Sequence, residues 1–288
     1  MNITIKNLTL SYGKETALNN VSLELDGPKI YGLLGRNGAG KTSLLSIIAS
    51  FREATSGSIT INGEDPFENE HIMQQVAFLY DKNYQDESEN IKTILQEIQL
   101  YRPNFDMDYA NYLCDLFKLD QKKPVKKFSK GKQSALNVTI GLASRAPITI
   151  FDEVYLGMDA PSRDLFYKEL LKDQEQHPRM IILSTHLVSE MDFLFDEVVI
   201  LNNGKIFMKD DYETFISRGV TITGKRKIVD KIVENKQQID RQQLGDTVSV
   251  TIYDAISDEE RALAIDHGVE ISSPTLHQLF IHLTKEEV

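Results

Sequence analysis

The chain has 288 residues, 41% hydrophobic and 26% charged, as is ordinary for a globular protein with room for one large and one small domain. We expect neither a signal peptide nor a membrane span, because no apolar run approaches the ~20 residues that cross a bilayer. The net charge of −11 argues against general nucleic-acid binding, which relies on clustered Lys and Arg. The single cysteine, Cys114, excludes an internal disulfide, and we expect it to fill the core.

The N-terminal part of the chain is predicted to be rich in β-strands. Short β-like segments alternate through residues 2–26, with turns expected at Gly13 and at Asn19-Asn20. The apolar run at 29–34 is typical of a buried strand. Two further strands are predicted, at 58–62 and 76–80.

Residues 35–42 fit the phosphate-binding pattern G-x-x-x-x-G-K-[ST], and they lie between a predicted strand and a helical pattern. Glycines let backbone N–H groups approach a polyphosphate, and the helix N-terminus adds partial positive charge. Lys41 can reach the outer phosphates, and the Thr42 hydroxyl can hold Mg²⁺. The candidate phosphate-binding residues are Gly35, Asn37, Gly38, Ala39, Gly40, Lys41, Thr42 and Ser43.

Residues 82–147 are predicted to form a helical insertion in this β-rich chain. Helical patterns cover 91–101 and 106–119, and a third helix is expected at 129–144 with Ser129 as its N-cap. A lysine-rich stretch precedes the third helix. We interpret it as a solvated loop, and the alternative is a patch that faces an anion.

Strands and helices alternate again from residue 148, which is typical of a parallel sheet with a nucleotide at the carboxyl ends of its strands. The predicted elements are strands at 148–151 and 180–184, helices at 161–176 and 187–195, and a hairpin of 198–201 with 205–207.

A smaller α/β unit is predicted after about residue 219. Its predicted elements are a strand at 246–253 and helices at 225–236, 257–267 and 275–284. The predicted domains are therefore 1–219, with a helical subdomain at about 82–147, and 220–288 as a small C-terminal accessory domain.

Further motifs place polar residues at the ends of predicted elements. They are Asp152-Glu153, Leu156-Gly157-Met158-Asp159, Ser184-Thr185-His186, and Phe128-Ser129-Lys130-Gly131-Lys132. With Tyr12 and the phosphate-binding segment, they resemble the motifs of nucleotide-binding subunits of ABC transporters, over residues 12–186. The resemblance implies an α/β fold: a P-loop NTPase core of the ABC type with an antiparallel β subdomain, the inserted helical subdomain and a small C-terminal α/β domain.

The resemblance assigns a role to each matching residue beside the nucleotide. Asp152 and Thr42 would hold Mg²⁺, and Glu153 would act as the general base on the attacking water. His186 would contact the γ-phosphate of ATP as a neutral imidazole. Tyr12 would stack on adenine.

A second group of residues would act on the ATP of an opposing protomer. By resemblance, Ser129 and Gly131 would close over the γ-phosphate, and Asp159 would cross the dimer interface. Lys130 and Lys132 depart from the family pattern L-S-G-G-Q, and Lys132 is the less usual departure.

The family also expects a glutamine at the end of the strand that follows the phosphate-binding helix. By register that position is Asp81, which still offers oxygen to Mg²⁺ or the lytic water. The alternative is a shifted loop in which Gln85 takes the role. We favour Asp81.

The resemblance implies an ATP- and Mg²⁺-dependent ATPase that grips two ATP molecules in a head-to-tail homo- or heterodimer. A separate transmembrane permease subunit would dock near residues 81–105, so the chain would be cytoplasmic and peripheral to the inner face of the cell membrane. Residues 273–280 resemble the tail of drug- and peptide-export ATPases. Residues 152–159 resemble Gram-positive exporters of peptides and antibiotics, including the phenol-soluble modulin type.

Two alternatives stay open. The first is a non-transport ABC protein that acts on ribosomes or DNA. It is disfavoured because the chain has one phosphate-binding loop, where such proteins usually have two, and because its net charge is −11. A catalytically weak regulatory partner in a heterodimeric transporter is favoured by the departures at Asp81, Lys130 and Lys132. Glu153 and His186 argue against it.

Overall fold

The chain folds into two units in the computed structural model, which describes residues 1–82 and 84–284. Unit 1 comprises Met1–His186 and Phe193–Met208, and unit 2 comprises Leu187–Asp192 and the chain from Lys209 onward. Within the described ranges, none of the helices combines the length and the apolar character that crossing a bilayer requires.

The regular elements are given in chain order. The strands are β1 (Asn2–Tyr12), β2 (Glu15–Asp26), β3 (Ile30–Leu34), β4 (Ser56–Ile61), β5 (Val76–Tyr80), β6 (Ile148–Asp152), β7 (Met180–Thr185), β8 (Glu197–Asn202), β9 (Lys205–Asp211), β10 (Val220–Lys225), β11 (Gln238–Leu244), β12 (Thr247–Ile252) and β13 (Glu270–Ser272). The helices are α1 (Lys41–Ile48), α2 (Glu70–Met73), α3 (Ile91–Tyr101), α4 (Met107–Leu116), α5 (Lys130–Ser144), α6 (Ala160–Gln176), α7 (Tyr212–Ser217), α8 (Arg226–Ile232), α9 (Asp258–Asp266) and α10 (Leu276–Leu283).

A six-stranded sheet in the order β5-β6-β7-β3-β8-β9 forms the centre of unit 1. The pairings β5–β6, β6–β7, β3–β7 and β3–β8 are parallel. Every residue of β3, β6 and β7 is buried, as expected for parallel strands that are covered on both faces. The carboxyl ends of β3, β6 and β7 therefore meet at one edge, where the sequence places its motifs.

An antiparallel sheet in the order β2-β1-β4 completes the β part of unit 1. The turn predicted at Asn19-Asn20 is wrong, because both residues lie within β2. Asn20 has φ 53°, and the pairing shifts by one residue between Leu8 and Leu10. The left-handed asparagine thus supports a β-bulge, which keeps the strand paired, instead of a chain reversal.

The helical insertion of unit 1 follows its prediction closely, because its helix starts are marked by local caps. The Asn90 side chain accepts from Thr93 N (3.0 Å) at the start of α3, and Asp106 accepts from Tyr109 N (2.9 Å) at the start of α4. Helix α4 ends before the predicted residue 119, because Lys118 has φ 52°. The helix predicted at 187–195 is wrong: that stretch contains only the 3₁₀ turns Val188–Glu190 and Asp192–Leu194.

Between α7 and α10, unit 2 has the element order β10-α8-β11-β12-α9-β13, and its antiparallel sheet has the order β11-β12-β10-β13. This is the topology of a ferredoxin-like fold. The sequence predicted only one strand of this sheet, that at 246–253. The helix predicted at 225–236 is shorter, because β10 continues to Lys225 and α8 ends at Ile232.

Candidate nucleotide site

The phosphate-binding segment forms a tight loop between β3 and α1. Gly40, its last residue before the helix, has φ 104°, and a Cβ there would lie 2.7 Å from the carbonyl oxygen of Ala17. Only glycine satisfies both constraints. Ala39 is buried, and its carbonyl accepts from Gly204 N (3.0 Å) in the β8–β9 turn. The loop is therefore held against neighbouring strands as well as by its own turn.

Lys41 lies inside the curve of this loop and is only 6% exposed. Its ammonium donates to the carbonyl oxygens of Gly35 (2.7 Å) and Arg36 (3.3 Å). The Glu153 carboxylate lies 3.4 Å from the same nitrogen. These oxygens compensate the burial of the charge, and they hold the amine where an anionic phosphate would be recognised.

Two hydroxyls bind the carboxylate at the end of β6. Thr42 Oγ1 donates to Asp152 Oδ2 (2.7 Å), and Ser184 Oγ donates to Asp152 Oδ1 (2.5 Å). Mg²⁺ is usually held by one or two protein oxygens together with substrate phosphates. The neighbouring oxygens of Thr42 and Asp152 fit that requirement. Within residues 1–82 and 84–284, no cluster of three or more histidine, cysteine or acidic side chains offers an all-protein metal cage.

Glu153 follows Asp152 in the left-handed region, with φ 54°. Such a conformation costs a non-glycine residue free energy, and it is concentrated at functional sites. His186 Nδ1 lies 3.0 Å from Glu153 Oε1, and it donates to the carboxylate when Nδ1 carries the proton. Glu153 is thus oriented by the imidazole on one side and by Lys41 on the other.

A cavity of about 560 Å³ opens above these groups. It is lined by Asn37, Gly38, Gly40, Lys41, Thr42, Ser43 and Glu153 together with Tyr12, the segment 15–17 and the turn at 203–204. Gly35 and Ala39 do not line it, although Gly35 accepts the bond from Lys41. The sequence did not assign 15–17 to the site, since these residues belong to no nucleotide motif.

Tyr12 lies at the edge of this cavity with its ring exposed. Its hydroxyl is 3.3 Å from Ser43 Oγ, and the guanidinium carbon of Arg52 is 4.7 Å from its ring centroid. Arg52 occupies one face of the ring, so a base would stack on the other. Arg52 belongs to none of the motifs found in the sequence.

Ser129, Gly131 and Asp159 line a separate cavity of about 270 Å³ that shares no residue with the first. The predicted N-cap is confirmed, because Ser129 is the N-cap of α5, although its side chain makes no capping hydrogen bond. Asp159 accepts from Ser162 N (3.0 Å), and hydrogen bonds from Ser162 hold the pKa of Asp159 below its ordinary value. Lys132 Nζ donates to the carbonyls of Phe117 (2.5 Å) and Lys118 (3.2 Å).

The structure pairs Asp81, for which a metal role was predicted, with Lys130: the lysine ammonium donates to Asp81 Oδ1. Gln85, the alternative, is exposed and follows Tyr84, whose hydroxyl donates to Asn137 Oδ1 (2.6 Å). Asp81 therefore has a partner on α5 that the sequence did not indicate.

Comparison with known proteins finds similarity to ATP-binding proteins of ABC transporters. A family model described as ABC transporter matches residues 18–155. The lantibiotic transport ATP-binding protein SrtF of Streptococcus pyogenes is 29% identical over 215 residues, which cover 73% of this chain and 91% of SrtF. The ABC transporter ATP-binding protein YtrB of Bacillus subtilis is 24% identical over 204 residues, covering 71% of this chain and 70% of YtrB.

Solved structures share the fold. The ATP-binding subunit of an ABC transporter superposes with a TM-score of 0.68 at 23% identity, covering 75% of this chain and 92% of that one. A dimeric ATP-binding cassette in a post-hydrolysis state, bound to ADP and Pi, superposes with a TM-score of 0.63 at 18% identity, covering 73% and 98%.

Proposed function

We propose that residues 18–155, which match the ABC transporter family model, form an ATP-binding domain, and that the chain is the ATP-hydrolysing subunit of a transporter that exports peptides or drugs. The observation that carries the proposal is the joint placement of Lys41, Asp152 and Glu153 at one sheet edge. SrtF, by its name, serves lantibiotic transport, which supports a peptide cargo. The phenol-soluble modulin type is a narrower form of the same proposal.

In this proposal Glu153 accepts a proton from the water that attacks the γ-phosphorus, and ADP and inorganic phosphate result. Lys41 offsets negative charge on the outer phosphates, and His186 holds the Glu153 carboxylate in place. Mg²⁺, held by Thr42 and Asp152, would supply further positive charge at the phosphate oxygens. Tyr12 would stack on the adenine.

We further propose that the site is completed by a second ATPase protomer, identical or different. Ser129, Gly131 and Asp159 line a cavity away from Lys41, so a single copy does not bring them to the same phosphate. In a head-to-tail pair each copy would offer this second cavity to the nucleotide of the other. ATP would then hold the halves together, and its hydrolysis would release them.

The partner that couples this cycle to transport is proposed to be a separate transmembrane permease. A groove of about 500 Å³ beside α2 and the end of α3 is lined by Met73, Leu100, Tyr101 and Pro103 together with the polar side chains of Glu68, Glu70, Gln74 and Arg102. Leu100 is 80% exposed and Tyr101 is 75% exposed, so two neighbouring large side chains offer apolar surface there. A short apolar helix of the permease would cover them. The chain would then lie at the cytoplasmic face of the membrane, with residues 220–288 as an accessory domain.

The test is turnover of MgATP by the purified full chain. We expect Lys41→Ala to lose phosphate release, and Glu153→Gln to bind ATP and dimerise on size-exclusion chromatography without turnover. Removal of Mg²⁺ with EDTA should abolish phosphate release. If Lys41→Ala hydrolyses ATP like the parent, the assignment of the site is wrong. Turnover that appears only with a different ATPase chain would favour a regulatory role.

A further inference from the structure

We propose that Asp81 is a positioning residue, which holds the start of α5 through Lys130 and thereby places Ser129 and Gly131 for an opposing nucleotide. The inference rests on the proposed function, because it concerns how one copy presents those two residues to another. It assigns to Asp81 a task other than the metal or water contact expected from its place in the sequence.

The end of β5 and the segment after it contact one face of helix α5. Lys130 and Asn137 lie two turns apart on α5 and therefore face the same side. Lys130 pairs with Asp81, while the Asn137 side chain accepts from Tyr84 OH (2.6 Å) and donates to Tyr80 O (3.3 Å). Tyr84 and Asn137 are both buried, so their contact holds this part of the helix face in place. The exposed ion pair is the contact nearest the N-terminus of the helix.

The same end of the helix also packs against the segment after β6. A Cβ on Gly131 would lie 2.9 Å from the carbonyl oxygen of Gly157, and a Cβ on Gly157 would collide with the Ser134 hydroxyl. The first turn of α5 thus contacts two segments, the one after β5 and the one after β6. Both begin at the sheet edge that carries the nucleotide site, where Tyr80 pairs with Asp152. Of these contacts, the Asp81–Lys130 pair is the one that depends on charge.

The two residues also compensate each other chemically. Asp81 and Lys130 are both departures from the family pattern, and together they replace two uncharged residues, a glutamine and a glycine, by one negative and one positive charge. A lone lysine at the start of α5 would meet the partial positive charge of the helix N-terminus, an unfavourable arrangement. The Asp81 carboxylate offsets that repulsion. The same carboxylate oxygen is occupied by the ammonium, so it is not available to a metal ion in this arrangement.

The experiment is a charge swap. We compare Asp81→Lys, Lys130→Asp and the double variant Asp81→Lys/Lys130→Asp in the full chain, measuring kcat, KM for ATP and the Mg²⁺ concentration for half-maximal turnover. Dimerisation with ATP is measured in the Glu153→Gln background. The matched control is the swap Asp164→Lys/Lys168→Asp, an exposed pair on α6 with an N–O distance of 2.7 Å.

If the pair positions α5, each single reversal lowers kcat and dimerisation by about two- to fivefold, the range open to an exposed ion pair, at unchanged KM. The double variant recovers to within about twofold, although a lysine at position 81 cannot bind Mg²⁺. The α6 swap and its single variants stay at the parent value. These results together would support the inference.

A metal or water role for Asp81 predicts the opposite. The double variant would stay as poor as Asp81→Lys, and both would need more Mg²⁺, which overturns the inference while leaving the proposed function standing. Single variants that match the parent in turnover and dimerisation would overturn it as well. If the parent itself shows neither Lys41-dependent turnover nor ATP-dependent dimerisation, the proposed function has failed, and the inference fails with it.

Discussion

Loss of one buried carboxylate, in Asp173→Asn, should destabilise unit 1 strongly. Asp173 lies on α6 with its side chain 2% exposed, and its carboxylate is 2.7 Å from Arg179, whose side chain is 4% exposed. Arg145, the C-cap of α5, lies 3.6 Å away and also pairs with Asp106 at the start of α4 (3.2 Å). The carboxylate therefore joins the start of β7 to the helical insertion.

The magnitude follows from what the substitution leaves behind. Removing one partner of a buried pair strands the other charge away from water, which costs about 3–5 kcal/mol. The contact between Asp173 and Arg179 has the distance of an ion pair without the alignment of a hydrogen bond, so we expect the lower end of that range. Replacing both partners, in Asp173→Leu/Arg179→Met, should recover most of the loss, because an apolar pair needs no charge compensation.

The assay is urea unfolding followed by circular dichroism, since the chain has no tryptophan to report on it. Asp164→Asn is the matched control: it lies on the same helix, is 59% exposed and pairs with Lys168. An exposed pair of that kind contributes at most about 1 kcal/mol. Equal midpoints for Asp173→Asn and Asp164→Asn would refute the reasoning, and so would a double variant that is no better than Asp173→Asn.

Two further predictions concern single positions. Burial raises the pKa of the Cys114 thiol to about 12. The folded protein should therefore be inert to Ellman's reagent at pH 8 and should react only after unfolding in urea. Fast reaction of the native protein would contradict the burial of this thiol. Gly40→Ala should weaken binding of a fluorescent ATP analogue at least tenfold, because the added methyl meets the Ala17 carbonyl at φ 104°. Gly13→Ala, at φ 61° with open space around it, is the control, and equal ATP affinity in the two variants would show that the collision is harmless.

The fold class predicted from the sequence, an α/β core of the ABC type, is confirmed by the topology and by its structural neighbours. The helix starts at Asn90 and Asp106 were predictable because a capping side chain acts within three residues of itself. The ferredoxin-like topology of unit 2 was not predictable from the sequence. Strand β11, with the sequence QIDRQQL, is mostly polar and exposed, so only its pairing with β12 makes it a strand.

In the candidate site, too, features set by local sequence patterns were predictable, whereas contacts between residues far apart in the sequence were not. Buried parallel strands bring their carboxyl ends to one edge, so the strand pattern predicted that edge as the site, and the family resemblance implied the roles of Lys41, Asp152 and Glu153 there. The contact of Asp81 with Lys130 spans 49 positions and joins two exposed side chains. No periodicity marks such a contact.

These distant contacts bear on whether the departures from the family pattern weaken catalysis. Lys132 stands where the family has glutamine, and its ammonium donates to the Phe117 and Lys118 carbonyls beyond the end of α4. The Lys132 ammonium is attracted to the negative C-terminal end of the α4 dipole. It carries three N–H donors, which is enough to donate to both carbonyl oxygens. Lys130 is likewise engaged by Asp81. The departures therefore change how α5 is supported inside one copy, whereas Lys41, Asp152 and Glu153, which we propose act on the phosphates and the attacking water, still lie together at one sheet edge.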